Sequence, residues 1–395
     1  MNANKTAPAD MIETTGPIPP PDFSLERAVN DISPWDLAMF RDLISTRLSP
    51  EQVQRVVSPA GVFPRQKNVL AIHWHPEWIP LDLIEHRLDA FFPNREKSLV
   101  IPTQHNQLTT MGDYSGVEVD CYSSGFNRKV QLLLHFKADR TAKAAVLKSM
   151  LDHTFKYRSG QLFEYIESVT NPELEDRLQA AALETGANAE TAALTRFYAA
   201  RLARLLEDHE GETPVEMIKN KLFSDFIQVQ RARHPDVMIN RALLLLASVK
   251  RIVKERFSLK YFFRASEVIE EVRGLGGGVV IPHPEQFWPI LLADYDVDGW
   301  EVWNPQSNQY TEFLIRALYN QNKISRPGRK PLLVFMGDDT HMSEKIKDPS
   351  RQERSKVERE VGFQPAWDDV AIRKTLSLTG AERSRIITLY QERLA

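Results

Sequence analysis

The sequence predicts an α/β fold, a barrel of parallel strands split by a large helical insertion. Three observations lead there. Seven short apolar runs, each ended by polar punctuation, read as strands buried on both faces. Helical segments separate these runs, the alternation that builds parallel sheets. Nearly every run ends on a group able to bind metal, and the C-terminal ends of barrel strands form the reactive face. With 395 residues the chain exceeds one ordinary core of roughly 150, so one large domain with insertions, or two domains, is expected.

The elements follow in order. Residues 1–22 are small, polar and proline-rich and predict a mobile arm or linker. Residues 23–65 predict a helical extension, because "SPWDLAMFRDLISTRL" and "SPEQVQRVV" each place serine at the N-cap and proline at the first helical position. From 66 to 140 come the strands "NVLAIHWH", "SLVIPTQHN", "GVEVDCYSS" and "KVQLLLHF". Residues 141–262 predict a helical insertion, with apolar residues three and four apart in "AETAALTRFYAARLARLLEDHE". The barrel resumes over 263–345, where the helix "ASEVIEEVRGLG" precedes the strands "GGVVIPHPE", "VDGWEVWNP" and "PLLVFMGDDTH". Residues 346–395 predict a mostly helical C-terminal extension, and the charge run "SEKIKDPSRQERSKVEREVG" reads as a solvated face or loop.

Composition bounds the partners. Fifty basic against 53 acidic residues, net charge −3, leave no electrostatic footprint for nucleic acid or an anionic membrane, although a local basic groove stays open. The single Cys121 excludes an intramolecular disulfide, and together with a start that lacks a signal-peptide layout it predicts a cytoplasmic protein. The longest aliphatic run, "ALLLLASV", is too short to span a bilayer. No motif encodes an oligomeric state.

The candidate ligands, in strand order, are His73 and His75, His105, Glu118, Gln131 or His135, His283, Glu301, and Asp339 with His341. Asp339 and His341 are two apart, so in extended backbone they share a face, as two ligands of one ion must. A lone histidine at a strand end is more often a satisfied structural residue. An ordered set from several strands converging on one rim forms a mixed nitrogen and oxygen shell suited to zinc, manganese or iron.

These residues resemble the PHP family, named for polymerase and histidinol phosphatase domains, over residues 68–136 and 263–343. "IHWH" looks like its first motif, implying His73 and His75 as ligands; "VIPTQHN" resembles the second, implying His105. "GVEVD" is similar to the segment whose glutamate bridges two ions, here Glu118. "GGVVIPHP" resembles the third motif, with His283, and "GDDTH" the closing one, with Asp339 and His341. The resemblance implies a distorted seven-stranded (β/α) TIM-like barrel of PHP type and a catalytic set of Asp339, His341, His105 and Glu118. Glu301 falls in a family segment whose glutamate is not usually a ligand and is a supporting candidate only. The chain departs from the family at Gln104, where an acid is usual, at Pro80, and at Gln131, for which His135 is the substitute; Glu77 and Asp82 are acids near the gap at Pro80. These losses imply one or two ions rather than three.

The resemblance thus implies hydrolysis of a small phosphomonoester or nucleotide through a metal-bound hydroxide, with Arg128, Lys129 and Lys345 as candidate phosphate clamps. A nuclease or phosphodiesterase, and a degenerate barrel that only binds partners, are the competing expectations. "GLGGGVV" lacks dinucleotide-loop spacing and reads as a helix stop, and Cys121 reads as a buried structural thiol. Trp74, Trp78, Trp288, Trp300 and Trp303 read either as core or as walls of a pocket for a base or sugar.

Overall fold

The computed structural model describes residues 23–324, 328–349 and 352–395; the expected arm at 1–22 lies outside them. The chain divides into two compact units. The smaller gathers residues 23–43 with Tyr165–Glu210 and Lys221–Ile252 and is helical. It is pinned by Arg201 on the helix Ala189–Asp208, whose Nη1 donates to Asp36 Oδ2 at 2.6 Å and whose Nη2 donates to Asp31 O at 2.8 Å. Asp36 is wholly buried, so losing Arg201 would leave its charge to Ser33 Oγ at 2.6 Å and the more distant Arg233 at 3.5 Å, at a cost of up to about 3–5 kcal/mol. The expected caps form: Ser33 Oγ accepts from Asp36 N, and Ser49 completes a capping box with Gln52.

The larger unit, Ile44–Glu164, Gly211–Asn220 and Val253–Ala395, carries every described strand. They are β1 (Asn68–Ala71), β2 (Trp74–His75), β3 (Lys97–Val100), β4 (Thr109–Met111), β5 (Tyr114–Ser123), β6 (Arg128–Lys137), β7 (Gly278–Ile281), β8 (Gly299–Trp303), β9 (Leu333–Met336) and β10 (Thr340–His341). A six-stranded sheet runs β4-β5-β6-β7-β8-β9, antiparallel from β4 to β7 and parallel from β7 to β9. Separate parallel pairs join β1 to β3 and β2 to β10.

The fold is therefore mixed α/β, and the described residues form no closed barrel of parallel strands. The physical reason lies in residues 124–127, "SGFN", a link with Asn127 at φ 48°. So short a link forces β5 and β6 into an antiparallel hairpin, since a parallel pair needs a crossover of about a dozen residues.

Single backbone contacts knit the three sheets where the site lies. Asp339 N donates to His73 O at 2.9 Å, Met342 N to His75 O at 3.0 Å, and Asn106 N to Glu118 O at 2.8 Å. Beneath them the core packs Leu70, Ile72, Val117, Leu134, Val280, Val302 and Phe335 against the C-terminal helix Arg383–Leu394, whose Tyr390 is fully buried. Each such side chain contributes roughly 1.5–3 kcal/mol of burial free energy. The expected helix stop is Gly276, at φ 69° after the helix Ala265–Gly274. No described helix is long and apolar enough to cross a membrane.

Candidate metal centre

Strand ends bring His73, His75, His105, Glu118, His283, Asp339 and His341 into one cluster. Three groups within it have all their ligand atoms inside 4.8 Å of one another: His75, His105 and His341; His73, Glu118 and His283; and His73, His75 and Asp339. Glu118 belongs to the second group and also faces two histidines of the first. Its Oε1 faces His283 Nε2 at 3.5 Å and His73 Nε2 at 3.9 Å, while its Oε2 faces His105 Nδ1 at 2.6 Å and His75 Nε2 at 3.6 Å. Asp339 Oδ1 lies 3.4 Å from His75 Nε2, 3.6 Å from His341 Nε2 and 3.7 Å from His73 Nε2.

Those spacings decide between two readings. They are mostly longer than hydrogen bonds, yet two donors each about 2.1 Å from a tetrahedral ion sit about 3.4 Å apart. His75 gives a second observation. It is fully buried, stacked between His105 and His341 at ring distances of 4.3 and 4.2 Å, and neither of its nitrogens has a hydrogen-bond partner. His73 Nε2 and His283 Nδ1 are buried without one as well. An orphaned buried polar atom costs roughly 1–3 kcal/mol, so the donor set fits divalent ions better than it fits a dry core.

The electrostatics fits the same reading. Burial pulls the His73 imidazolium down, but Glu301, Asp339 and Glu118 outweigh it and raise His73 to about 10. Burial, with His341 and His105 beside it, lowers His75 to about 3. Burial opposes ionisation of Glu118 and Asp339, and the surrounding histidines nonetheless hold both well below the usual carboxylate range. His341 is raised to about 9, its burial offset by Asp339 and Glu77. Protons on His73 and His341 thus supply the positive charge that an ion would supply.

The backbone is bent to make this cage. Glu77 (φ 55°), Asn106 (φ 53°), His283 (φ 23°) and Asp339 (φ 48°) all occupy the left-handed region, which costs non-glycine residues of order 1–3 kcal/mol each. Outer partners fix the ligands. Glu301 Oε1 bonds His73 Nδ1 at 2.8 Å, and its Oε2 accepts from His283 N at 2.7 Å, so Glu301 orients ligands instead of joining them. Asp339 Oδ2 accepts from Gln306 Nε2 at 2.5 Å and Arg359 Nη1 at 2.9 Å, which leaves Oδ1 to the cage.

Several sequence expectations are corrected. His135 lies in the core, not the cluster: Nε2 donates to Ile72 O at 3.0 Å and Nδ1 pairs with Tyr390 OH at 2.7 Å, using both nitrogens. Burial lowers it to about 4, so it is neutral. Lys345 is buried and donates to Val357 O, Arg359 O and Glu360, leaving no donor for a phosphate. Lys129 pairs with Asp120 Oδ1 at 2.5 Å; Arg128 is exposed on β6, which leaves its expected role as a phosphate clamp unchanged. Asp82 is exposed, whereas Glu77 joins the cluster's edge, its Oε1 3.8 Å from His341 Nδ1. Gln131 faces Asp120 across the hairpin. Trp74, Trp300 and Trp303 are core residues and Trp288 is part-exposed; Trp78 alone of the five lies beside Glu77. Cys121 is buried as expected, and burial raises its thiol far above the usual range.

Sequence reasoning missed Arg359, half-buried in a charge run read as solvated; Glu344, Lys345 and Glu360 of that run are buried outright. It also missed Lys219, which reaches Glu77 from a segment with no local signal. Gly337 entered the sequence reading only as part of "GDDTH", yet a Cβ there would lie 1.4 Å from Glu301 Oε1.

No protein-family model matches the chain, and no curated protein matches it. Among solved structures it is similar to a "putative metal-dependent phosphoesterase" from Bifidobacterium adolescentis, at 16% identity and a TM-score of 0.37, over 80% of this chain and 98% of that one. So slight a likeness carries no weight for the chemistry, which rests on the cage.

Proposed function

We propose that this chain is a metal-dependent phosphoester hydrolase of PHP type, acting on a small phosphomonoester or nucleotide. The observation that supports it most is Glu118, whose two oxygens face separate histidine pairs, His73 with His283 and His75 with His105. A carboxylate so placed suits two neighbouring divalent cations, and the mixed nitrogen and oxygen donors suit zinc, manganese or iron. His73, His75, His105, Glu118, His283, Asp339 and His341 would hold them. When bound, such ions supply a water acidified toward neutrality and an electrophile for phosphate oxygens.

The chain's own groups prepare the site. Glu301 fixes the His73 ring through Nδ1, so that its Nε2 lone pair faces inward. Gln306 and Arg359 hold Asp339 through Oδ2 and stop its carboxylate from rotating. Burial of His73, His75 and Glu118 excludes bulk water, which strengthens each charge interaction at the reacting phosphate. The test is release of phosphate from a panel of monoesters and nucleotides by protein loaded with zinc or manganese. The reading expects activity that a chelator removes, that the ion restores and that Asp339→Asn loses. A fully loaded wild type that cleaves none of the panel would contradict it.

A further inference from the structure

The cage is closed on most sides and open at one. His73, His75, Glu118, His283 and Asp339 are buried, whereas the His105 and His341 side chains keep 24% and 30% exposure. An anionic ester therefore reaches the ligands past those two imidazoles.

One cation stands at this mouth that the motifs do not account for. Lys219 lies between the short turn Val215–Met217 and the helix Asn220–Val229, and its Nζ is 3.3 Å from Glu77 Oε1. The same oxygen is 3.8 Å from His341 Nδ1, one of the two exposed imidazoles. The ammonium also sits 5.3 Å from the Trp78 ring centroid, a cation–π contact that limits where it can go. The platform is fixed in turn: Glu77 N donates to Gln104 Oε1 at 3.1 Å, and Glu77 Oε2 accepts from Ser343 N at 2.8 Å.

Resting on the metal-hydrolase reading above, we infer that Lys219 is the substrate-binding cation of the site, which takes up the ester's phosphate oxygens as they enter past His341. Two features favour this over a lysine that only neutralises Glu77. At 3.3 Å its bond to Glu77 is longer than the roughly 2.7–2.9 Å of a strong charge-assisted bond, so exchanging that bond for one to a phosphate oxygen costs the ammonium little. An ammonium is also a point charge on a flexible stem, able to change acceptors without matching a fixed fork geometry. Lys219 is supplied by residues 211–220, outside the segments that carry the motif resemblance, so the chain sets affinity for its substrate separately from affinity for its ions.

The test titrates inorganic phosphate into the full chain loaded with zinc or manganese, for wild type, Lys219→Met and Lys219→Arg, with ion content measured on each. Lys219→Met is expected to keep its ions and bind phosphate about tenfold more weakly, the size of one lost charged hydrogen bond. Lys219→Arg is expected to recover part of that loss, and in turnover the KM is expected to rise more than kcat falls. Wild-type phosphate affinity in an ion-loaded Lys219→Met would overturn the inference, and loss of ions from that variant would make Lys219 a support of the cage instead. A wild type that takes up no ions would remove the underlying reading, an outcome seen before any phosphate is added.

Discussion

Replacing Gly337 with alanine probes how the cage is oriented. A Cβ built there would lie 1.4 Å from Glu301 Oε1, 2.4 Å from its carboxyl carbon and 3.0 Å from His73 Nδ1. Non-bonded heavy atoms rest about 3.5 Å apart, so the carboxylate must retreat by roughly 2 Å. That breaks its 2.8 Å bond to His73 Nδ1 and its 2.7 Å acceptance from His283 N together. Losing the outer partner of a metal ligand typically weakens ion binding about 10–100-fold, or roughly 1.4–2.7 kcal/mol, and overpacking removes a further ~1–3 kcal/mol of fold stability. The assay is competition for zinc against a chromophoric chelator, with thermal melting of the ion-free protein alongside. Glu301→Ala should reproduce the affinity loss without the steric clash. If Gly337→Ala is folded and binds zinc as tightly as wild type, Glu301 does not orient His73 and the reasoning fails.

Other outcomes follow from the same geometry. His135→Phe should leave ion content unchanged yet cost about 1–3 kcal/mol in chemical denaturation, because Ile72 O and Tyr390 OH lose their buried partner; loss of ions would return His135 to the ligand set. Arg359→Met should weaken ion binding by freeing the Asp339 carboxylate, whereas Lys345→Met should lower the melting temperature without changing the ion content of the folded protein. Without ions, His73 and His341 titrate near 10 and 9, so at pH 7 both carry protons that ion uptake must expel. Apparent ion affinity should therefore rise with pH and level off above about 10, with protons released at neutral pH in calorimetry across buffers of different ionisation enthalpy. An affinity flat from pH 6 to 9 would contradict that sign.

Much of the site was legible because its groups are local to strand ends. "HWH" and "GDDTH" put paired ligands on short extended segments, and the structure pairs His75 with His341 directly across β2 and β10. His135 misled because a strand offers the same histidine to either the core or the rim, and partners distant in sequence, Ile72 O and Tyr390 OH 255 residues away, decide which. The hairpin of β5 and β6 was readable in principle from the turn signal "SGFN", which the reading of parallel strands left unused. Arg359 and Lys219 carry no local signal, since their roles come from carboxylates far away in sequence at Asp339 and Glu77. The charge run around Arg359 shows the general difficulty: alternating charges look solvated until Arg87 and Lys345 are found buried on Glu360.

The most direct measurement is elemental analysis of the full chain purified without chelator, in wild type, His73→Ala and Asp339→Ala. The account predicts one or more transition-metal ions per chain in wild type and their loss from both variants, since His73 is a donor to two of the ligand groups and Asp339 is the carboxylate of one. A wild type that stays empty after incubation with zinc or manganese, or variants that keep its full complement, would contradict the claim that this cluster is a metal centre.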